Sequence, residues 1–162
     1  MLKKTSLILA MVIVSALAMT GCSSASESQE KEKFEAYYDS RVQHVGDNSK
    51  VSELLNVLGV GDLGEYTIAL TTDKEPYGLT VTYTTLKDAG DEAKLENGDR
   101  IDFAYFALAL IENLNEIDVN FKDYNFSLST EQANEIVDGD IKDYGNSIEK
   151  LKELNNKLNP SD

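Results

Sequence analysis

The segment Ile101 to Leu114 (IDFAYFALALIENL) is apolar on nearly every side and rich in Ala and Leu. A helix with hydrophobic residues all round has no face to offer water, so it belongs at the centre of a domain, wrapped by other elements. The rest of the chain is constrained by having to supply that cover. Asn97 and Asp99 stand just before the segment as candidate caps.

Two stretches have the period of strands. Tyr66, Ile68 and Leu70 alternate with Thr67, Ala69 and Thr71; after Glu75-Pro76-Tyr77-Gly78, Leu79, Val81 and Tyr83 alternate with threonines. Period two on both sides of a Pro-Gly turn predicts a β-hairpin. Ile117, Val119 and Phe121, then Phe126 and Leu128 beyond a turn at Asp123-Tyr124-Asn125, predict a second. Lys87 to Asp99 is polar and reads as a loop.

The remaining cover is helical. Between Phe34 and Gly46 the pattern is weak and fits a short helix or strand leading into a turn. Asp47-Asn48-Ser49 then offers N-caps for a helix carrying Val51, Leu54, Leu55 and Leu58 on one face and ending at Gly59 or Gly61. Ser129 and Gln132 have capping-box spacing before Ala133, Ile136 and Val137, with Gly139 as the stop. Asn146 and Glu149 repeat that spacing ahead of Ile148, Leu151, Leu154 and Leu158, in a helix from about Ser147 to Leu158. The expected fold class is therefore α+β: antiparallel hairpins form a small four-stranded sheet packed on the buried central helix, without βαβ crossovers, and amphipathic C-terminal helices close the core.

The N-terminal stretch is different in kind. Lys3 and Lys4 precede an apolar run from Leu7 to Met19, too short for the roughly twenty residues of a membrane span but of the length of a secretory signal. Met19-Thr20-Gly21-Cys22 follows. It resembles the lipobox of bacterial lipoproteins, with Met19 where Leu is commonest. The resemblance implies cleavage between Gly21 and Cys22 and a diacylglyceryl thioether on Cys22, whose two acyl chains give stable attachment at about 0.8 kcal/mol per buried methylene. Residues 1–21 are then the lipoprotein signal peptide, 22–33 a small, polar, flexible tether, and 34–162 a single domain.

Charge narrows the partners. The formal net charge is −14 and grows more negative once Lys3 and Lys4 are removed. Nucleic acid is excluded, because phosphate binding draws on Lys and Arg that displace counterions. An anionic membrane surface would also repel the chain, leaving lipid on Cys22 as the means of attachment. As Cys22 is the only cysteine, no internal disulfide forms and the fold rests on its core.

A search for chemistry returns little. His44, the only histidine, has Asp47 three residues on, short of the ligands a zinc site needs. Asp138, Asp140 and Glu149 fall at positions one, three and twelve of a calcium loop, but Lys142 and Asp143 occupy positions five and six, where a ligand and a glycine are required. Gly59, Gly61 and Gly64 follow a helix, whereas a dinucleotide loop follows a strand. There is no G-x-S-x-G elbow. No metal or cofactor is called for, and no argument for an enzyme emerges. The eight tyrosines read mainly as strand and core residues, with exposed ones as potential binding surface.

Three stretches carry a resemblance: Val45-Gly46-Asp47-Asn48-Ser49-Lys50-Val51; Glu75-Pro76-Tyr77-Gly78-Leu79-Thr80-Val81-Thr82-Tyr83; and Phe106-Ala107-Leu108 with Leu110-Ile111-Glu112-Asn113. In this order they resemble a domain of unknown function from Firmicutes, found in small lipoproteins and attached to some BlaR-type membrane sensor metallopeptidases. The resemblance spans about Tyr38 to Asn155 and brings no catalytic residues. It implies an extracytoplasmic, Gram-positive setting. The expected function is a non-catalytic binding, sensing or accessory module, tethered to the outer face of the cell membrane, whose partner is an envelope protein or a small ligand. The alternatives are an envelope hydrolase using paired carboxylates, Glu112 beside Asp102 or Asp99, and a structural subunit of a membrane complex marked by a broad apolar patch.

Overall fold

The computed structural model describes residues 23–87 and 101–160. Gly21 and Cys22, residues 88–99 of the expected loop, and the candidate caps Asn97 and Asp99 lie outside the described residues. By compactness the chain divides into Met1–Lys33 and Phe34–Asp162.

Helix α1 runs Ser23–Asp39. The helix includes Ser23 to Lys33, the stretch read as a tether, in keeping with its Ala, Glu, Gln and Lys, which lose little side-chain freedom in a helix. Within the second unit Phe34 and Tyr37 are buried and meet Phe106, with ring centroids 6.2 and 5.2 Å away. Helix α2, Asn48–Val57, starts as expected: the Asp47 carboxylate accepts from the Lys50 amide, and Val51, Leu54 and Leu55 are buried. Gly59, at φ +76°, turns the chain into the short α3, Val60–Leu63.

Both hairpins form. Strand β1, Gly64–Thr71, pairs antiparallel with β2, Gly78–Leu86; β3, Glu116–Phe121, pairs antiparallel with β4, Tyr124–Ser129. The second turn is tighter than expected: Tyr124 and Asn125 belong to β4, and Lys122, at φ +51°, takes the left-handed turn position with Asp123. The four strands make one sheet in the order β1-β2-β3-β4.

How the hairpins join corrects an expectation. β2 and β3 run parallel, so the chain between them is a crossover, and the sheet contains a βαβ unit built on α4, Asp102–Leu110. Each hairpin's periodicity fixes its own pairing and says nothing of how two hairpins meet; a parallel junction needs a crossover of a dozen or more residues, which the segment after β2 provides. The registers stack apolar rows across the sheet, Leu70-Leu79-Ile117-Leu128 and Ile68-Val81-Val119-Phe126, on one face. The opposite face carries Ala69-Thr80-Asp118-Ser127 and Thr67-Thr82-Asn120-Asn125.

Helix α4 has every residue from Phe103 to Leu110 buried, as its composition demands. It is shorter than the expected Ile101 to Leu114. Ile111 leaves the helix for an extended conformation and forms a parallel bridge with Val42. Three helices follow β4. α5, Thr130–Val137, opens with the full capping box of Ser129 and Gln132 and buries Ala133 and Val137. Ile136 does not join them and is 58% exposed, because so short a helix buries one narrow stripe, which the i, i+4 pair already fills.

The short α6, Ile141–Tyr144, lies within the stretch compared with a calcium loop; α7, Ile148–Leu158, buries Leu151 and Leu154. Its cap is Ser147, whose hydroxyl accepts from the Lys150 amide, and not Asn146, which donates to the Asp143 carboxylate.

Between α6 and α7 the backbone of Gly145 lies against that of α4. A Cβ there would stand 2.0 Å from the Ala109 carbonyl oxygen, inside any tolerable contact. Gly145→Ala is expected to lower the unfolding free energy by about 3 kcal/mol. Gly139→Ala, whose new Cβ would meet nothing nearer than the Tyr144 hydroxyl at 3.9 Å, should change it by about 0.5 kcal/mol or less; urea denaturation of both measures the difference.

Candidate functional site

The polar groups of the fold converge where α4 ends. A helix leaves its last four carbonyls without intrahelical partners, and buried ones must find donors. The Ala107 carbonyl accepts from the Ile111 amide (3.0 Å) and Leu110 from the Val42 amide (2.9 Å), while the Glu112 amide donates to Val42 (2.8 Å). The Leu108 carbonyl takes a side-chain donor: Lys142 Nζ reaches it at 2.5 Å, together with the carbonyls of Ile111 at 2.8 Å and Leu114 at 2.7 Å. An ammonium has three N–H donors, and all three are spent here.

The segment after α4 fastens the loops around it. Asn113 Oδ1 accepts from the Val45 amide at 2.7 Å, holding the turn before α2. Asn115 Oδ1 accepts from the Tyr77 amide at 2.9 Å, and the Tyr77 carbonyl takes the Asn115 and Glu116 amides. On its other side the Asn115 carbonyl accepts both the amide and the hydroxyl of Thr130, at the start of α5. All three stretches that carry the family resemblance therefore meet at residues 111–116. There, Val45 and Tyr77 are held by backbone-to-side-chain bonds, and their motifs act as fold determinants.

Burial pulls Lys142 down to about 8, against the opposing pull of the Asp140 and Glu112 carboxylates. It is still mainly an ammonium near neutral pH, and its protons are directed at carbonyls, so it is placed as a structural cation and not as a nucleophile. Its role was missed in the sequence, where Lys142 stood out only for spoiling a calcium loop. The one hint is its place between Ile141 and Tyr144, which both turn inward.

The other sequence candidates are dispersed. His44 is exposed, its carbonyl accepting the Asp47 amide, and the Asp47 carboxylate caps α2. Asp138 is the left-handed C-cap of α5 and Asp140 the N-cap of α6. Gly59 and Gly61 belong to the α2–α3 turn and helix, and Gly64 begins β1 with the Thr85 carbonyl oxygen 1.9 Å from where a Cβ would be. Among the described residues no three His, Cys, Asp or Glu side chains come together.

Asp102 begins α4 and accepts from Asn159 Nδ2 at 3.0 Å, whereas Glu112 lies beyond its other end. A helix of nine residues puts roughly 13 Å between them at 1.5 Å per residue. The Glu112–Asp102 pair is not assembled, and Asp99 lies outside the described residues. Of the tyrosines, 37, 83, 105 and 144 are buried and the other four half-buried. Burial, then the Asp102 carboxylate, raises the phenols of Tyr37 and Tyr105, so both stay neutral. The Tyr83 and Tyr144 hydroxyls donate to the Val60 and Val137 carbonyls.

Lys142→Met leaves the three carbonyls without their shared donor and is expected to cost about 3 kcal/mol of stability. The cost depends on pH. With its folded pKa near 8, below the 10.5 of a free lysine, the unfolded chain holds the extra proton between those values, so the wild type gains stability as pH rises through that window. The variant lacks this contribution. The gap between the two should widen from pH 7.5 to pH 10 in urea denaturation, and a gap that narrows contradicts the assignment.

Neither curated proteins nor solved structures gave a significant match to the chain. A family model described as a domain of unknown function, DUF4825, matches residues 37–132, from α1 to the first turn of α5. The match takes in all four strands, the central helix and the three stretches that meet at its end, and it covers more than half of the chain: the protein belongs to the DUF4825 family.

Proposed function

We propose that this protein is a membrane-tethered extracytoplasmic lipoprotein whose folded domain is a non-catalytic binding or sensing module of the bacterial envelope. The observation that carries the reading is Met19-Thr20-Gly21-Cys22 directly after the apolar run Leu7 to Met19. The cysteine supplies the thiol for a diacylglyceryl thioether, and the residues before it are small enough for a peptidase to cut at Gly21–Cys22. In this reading the signal is removed, Cys22 becomes the lipidated first residue, and the acidic domain stands outside a Gram-positive cell membrane. Small Firmicutes lipoproteins and the outer parts of BlaR-type sensors are its natural company.

Two observations support a module without catalysis. The convergent polar groups at the end of α4 are bonded to one another, and the carboxylates Asp102 and Glu112 sit at opposite ends of that helix. A structural subunit of a membrane complex would need a broad apolar patch; Ile136 is the large hydrophobic exposed among the described residues. No helix among the described residues is long and apolar enough to cross a membrane, so a lipid on Cys22 is the attachment this reading relies on.

Metabolic labelling with an alkyne fatty acid tests it. The wild type should take up label and partition with membranes, and Cys22→Ala should lose the label and remain unprocessed. An unlabelled wild-type chain that keeps residues 1–21 would overturn the reading.

A further inference from the structure

The face of the sheet opposite the apolar rows is open to solvent. Its rows through Thr80 and Thr82 are exposed where they end on β1 and β4 and half-buried at their centres. Apart from its glutamates the side chains on this face are short, hydroxyls and amides above all, and no aromatic ring stands there for a nucleobase to stack on.

Its charges have one sign. Surfaces of soluble domains ordinarily mix both, yet none of the four strands contains Lys or Arg. The lysines next to them in sequence, Lys74, Lys87 and Lys122, lie in turns or just past a strand end. Glu116 and Asp118, two positions apart on β3, hold their carboxylates over the sheet. Glu116 Oε1 lies 3.3 Å from where a Cβ on Gly78 would stand, so the missing side chain of Gly78 gives it room across β2. On the other flank Asp118 Oδ1 accepts from the Ser127 hydroxyl of β4.

We infer that this face docks an extended segment of another protein that carries lysine or arginine. The basic groups meet Glu116 and Asp118, and their methylene stems rest on Ala69 and the threonine methyls. Charge and area choose this occupant. A second copy brings a net charge of −14 of its own and sets like charges against each other. β3 and β4 are six residues long; at about 3.3 Å per residue, and about 4.8 Å between strands, the face measures on the order of 400 Å². A stable interface between folded proteins takes about 800 Å² from each partner, so the face suits a single extended segment. The inference gives a partner class to the binding module proposed above and rests on that reading, though not on the lipid at Cys22.

Fluorescence anisotropy tests it, with a fluorescein-labelled peptide of alternating lysine and alanine titrated with the full chain in neutral detergent micelles. Binding should saturate, and the same peptide with glutamate in place of lysine should not bind. Glu116→Gln with Asp118→Asn should weaken binding on the order of tenfold; the new amide oxygen at 118 still accepts from Ser127. Glu135→Gln on α5 with Glu153→Gln on α7, both exposed, removes the same net charge and should change binding by less than about twofold. Ala69→Lys, at an exposed position on the face, should also weaken it, whereas Ile136→Lys, exposed on α5, should not. Absence of saturable binding, or equal weakening by the face variants and the helix variants, overturns the inference. Each result is read whether or not Cys22 carries lipid, so a failure here is distinct from a failure of the anchor.

Discussion

The bond set between Lys142 and the end of α4 is the constraint on which the rest of the domain depends. A helix buried on every residue from Phe103 to Leu110 cannot send its C-terminal carbonyls to water. Their partial negative charge, summed along the helix, favours a cation, and hydrogen bonds from an ionised donor are roughly twice as strong as neutral ones. Bringing an ammonium to this place costs desolvation, visible in its lowered pKa. Three carbonyls and the nearby Asp140 and Glu112 carboxylates offset part of that cost. Because Lys142 comes from α6 and Val42 from the turn after α1, capping one helix draws both flanks of the chain onto it.

That closure gives meaning to the stretches shared with the family. Val45, Tyr77 and the segment from Leu110 to Asn115 lie far apart in sequence and are joined by amide and carbonyl bonds at the same end of the domain. A pattern that fixes loops to a helix end is a signature of architecture. The family match stops at residue 132, yet Val137, Ile141, Leu151 and Leu154, fully buried, and Lys142 itself come later. The matched region does not contain the whole core: the helices after it supply the cation and close the apolar face.

Most of the fold was legible wherever one local period or one cap decides the outcome. The alternation of β1 to β4, the Asp47 cap, the Ser129–Gln132 box and the buried α4 each follow from residues within a few positions of one another. What was not legible depends on distant partners. The parallel junction of β2 with β3 is a property of two hairpins together. α4 ends at Leu110 because Val42, nearly seventy positions earlier in the sequence, claims Ile111. Lys142 looked like an ordinary charged residue in an acidic loop, since no local pattern marks a lysine whose acceptors lie about thirty residues upstream.

The distribution of charge follows from the same architecture. The four strands contain no Lys or Arg, and their three acids, Glu65, Glu116 and Asp118, fall at alternate positions on the side away from the apolar rows. Glu65 is exposed and Glu116 and Asp118 are half-buried, so none of the three is enclosed in the core. The edge of β1 cannot be settled so simply, because its apolar residues are needed to finish rows that continue into β2 and β3. A charge placed at Ile68 or Leu70 would protect the edge and spoil the row. Among the described residues, the strand that completes the apolar rows is therefore also one that stands at the sheet's edge.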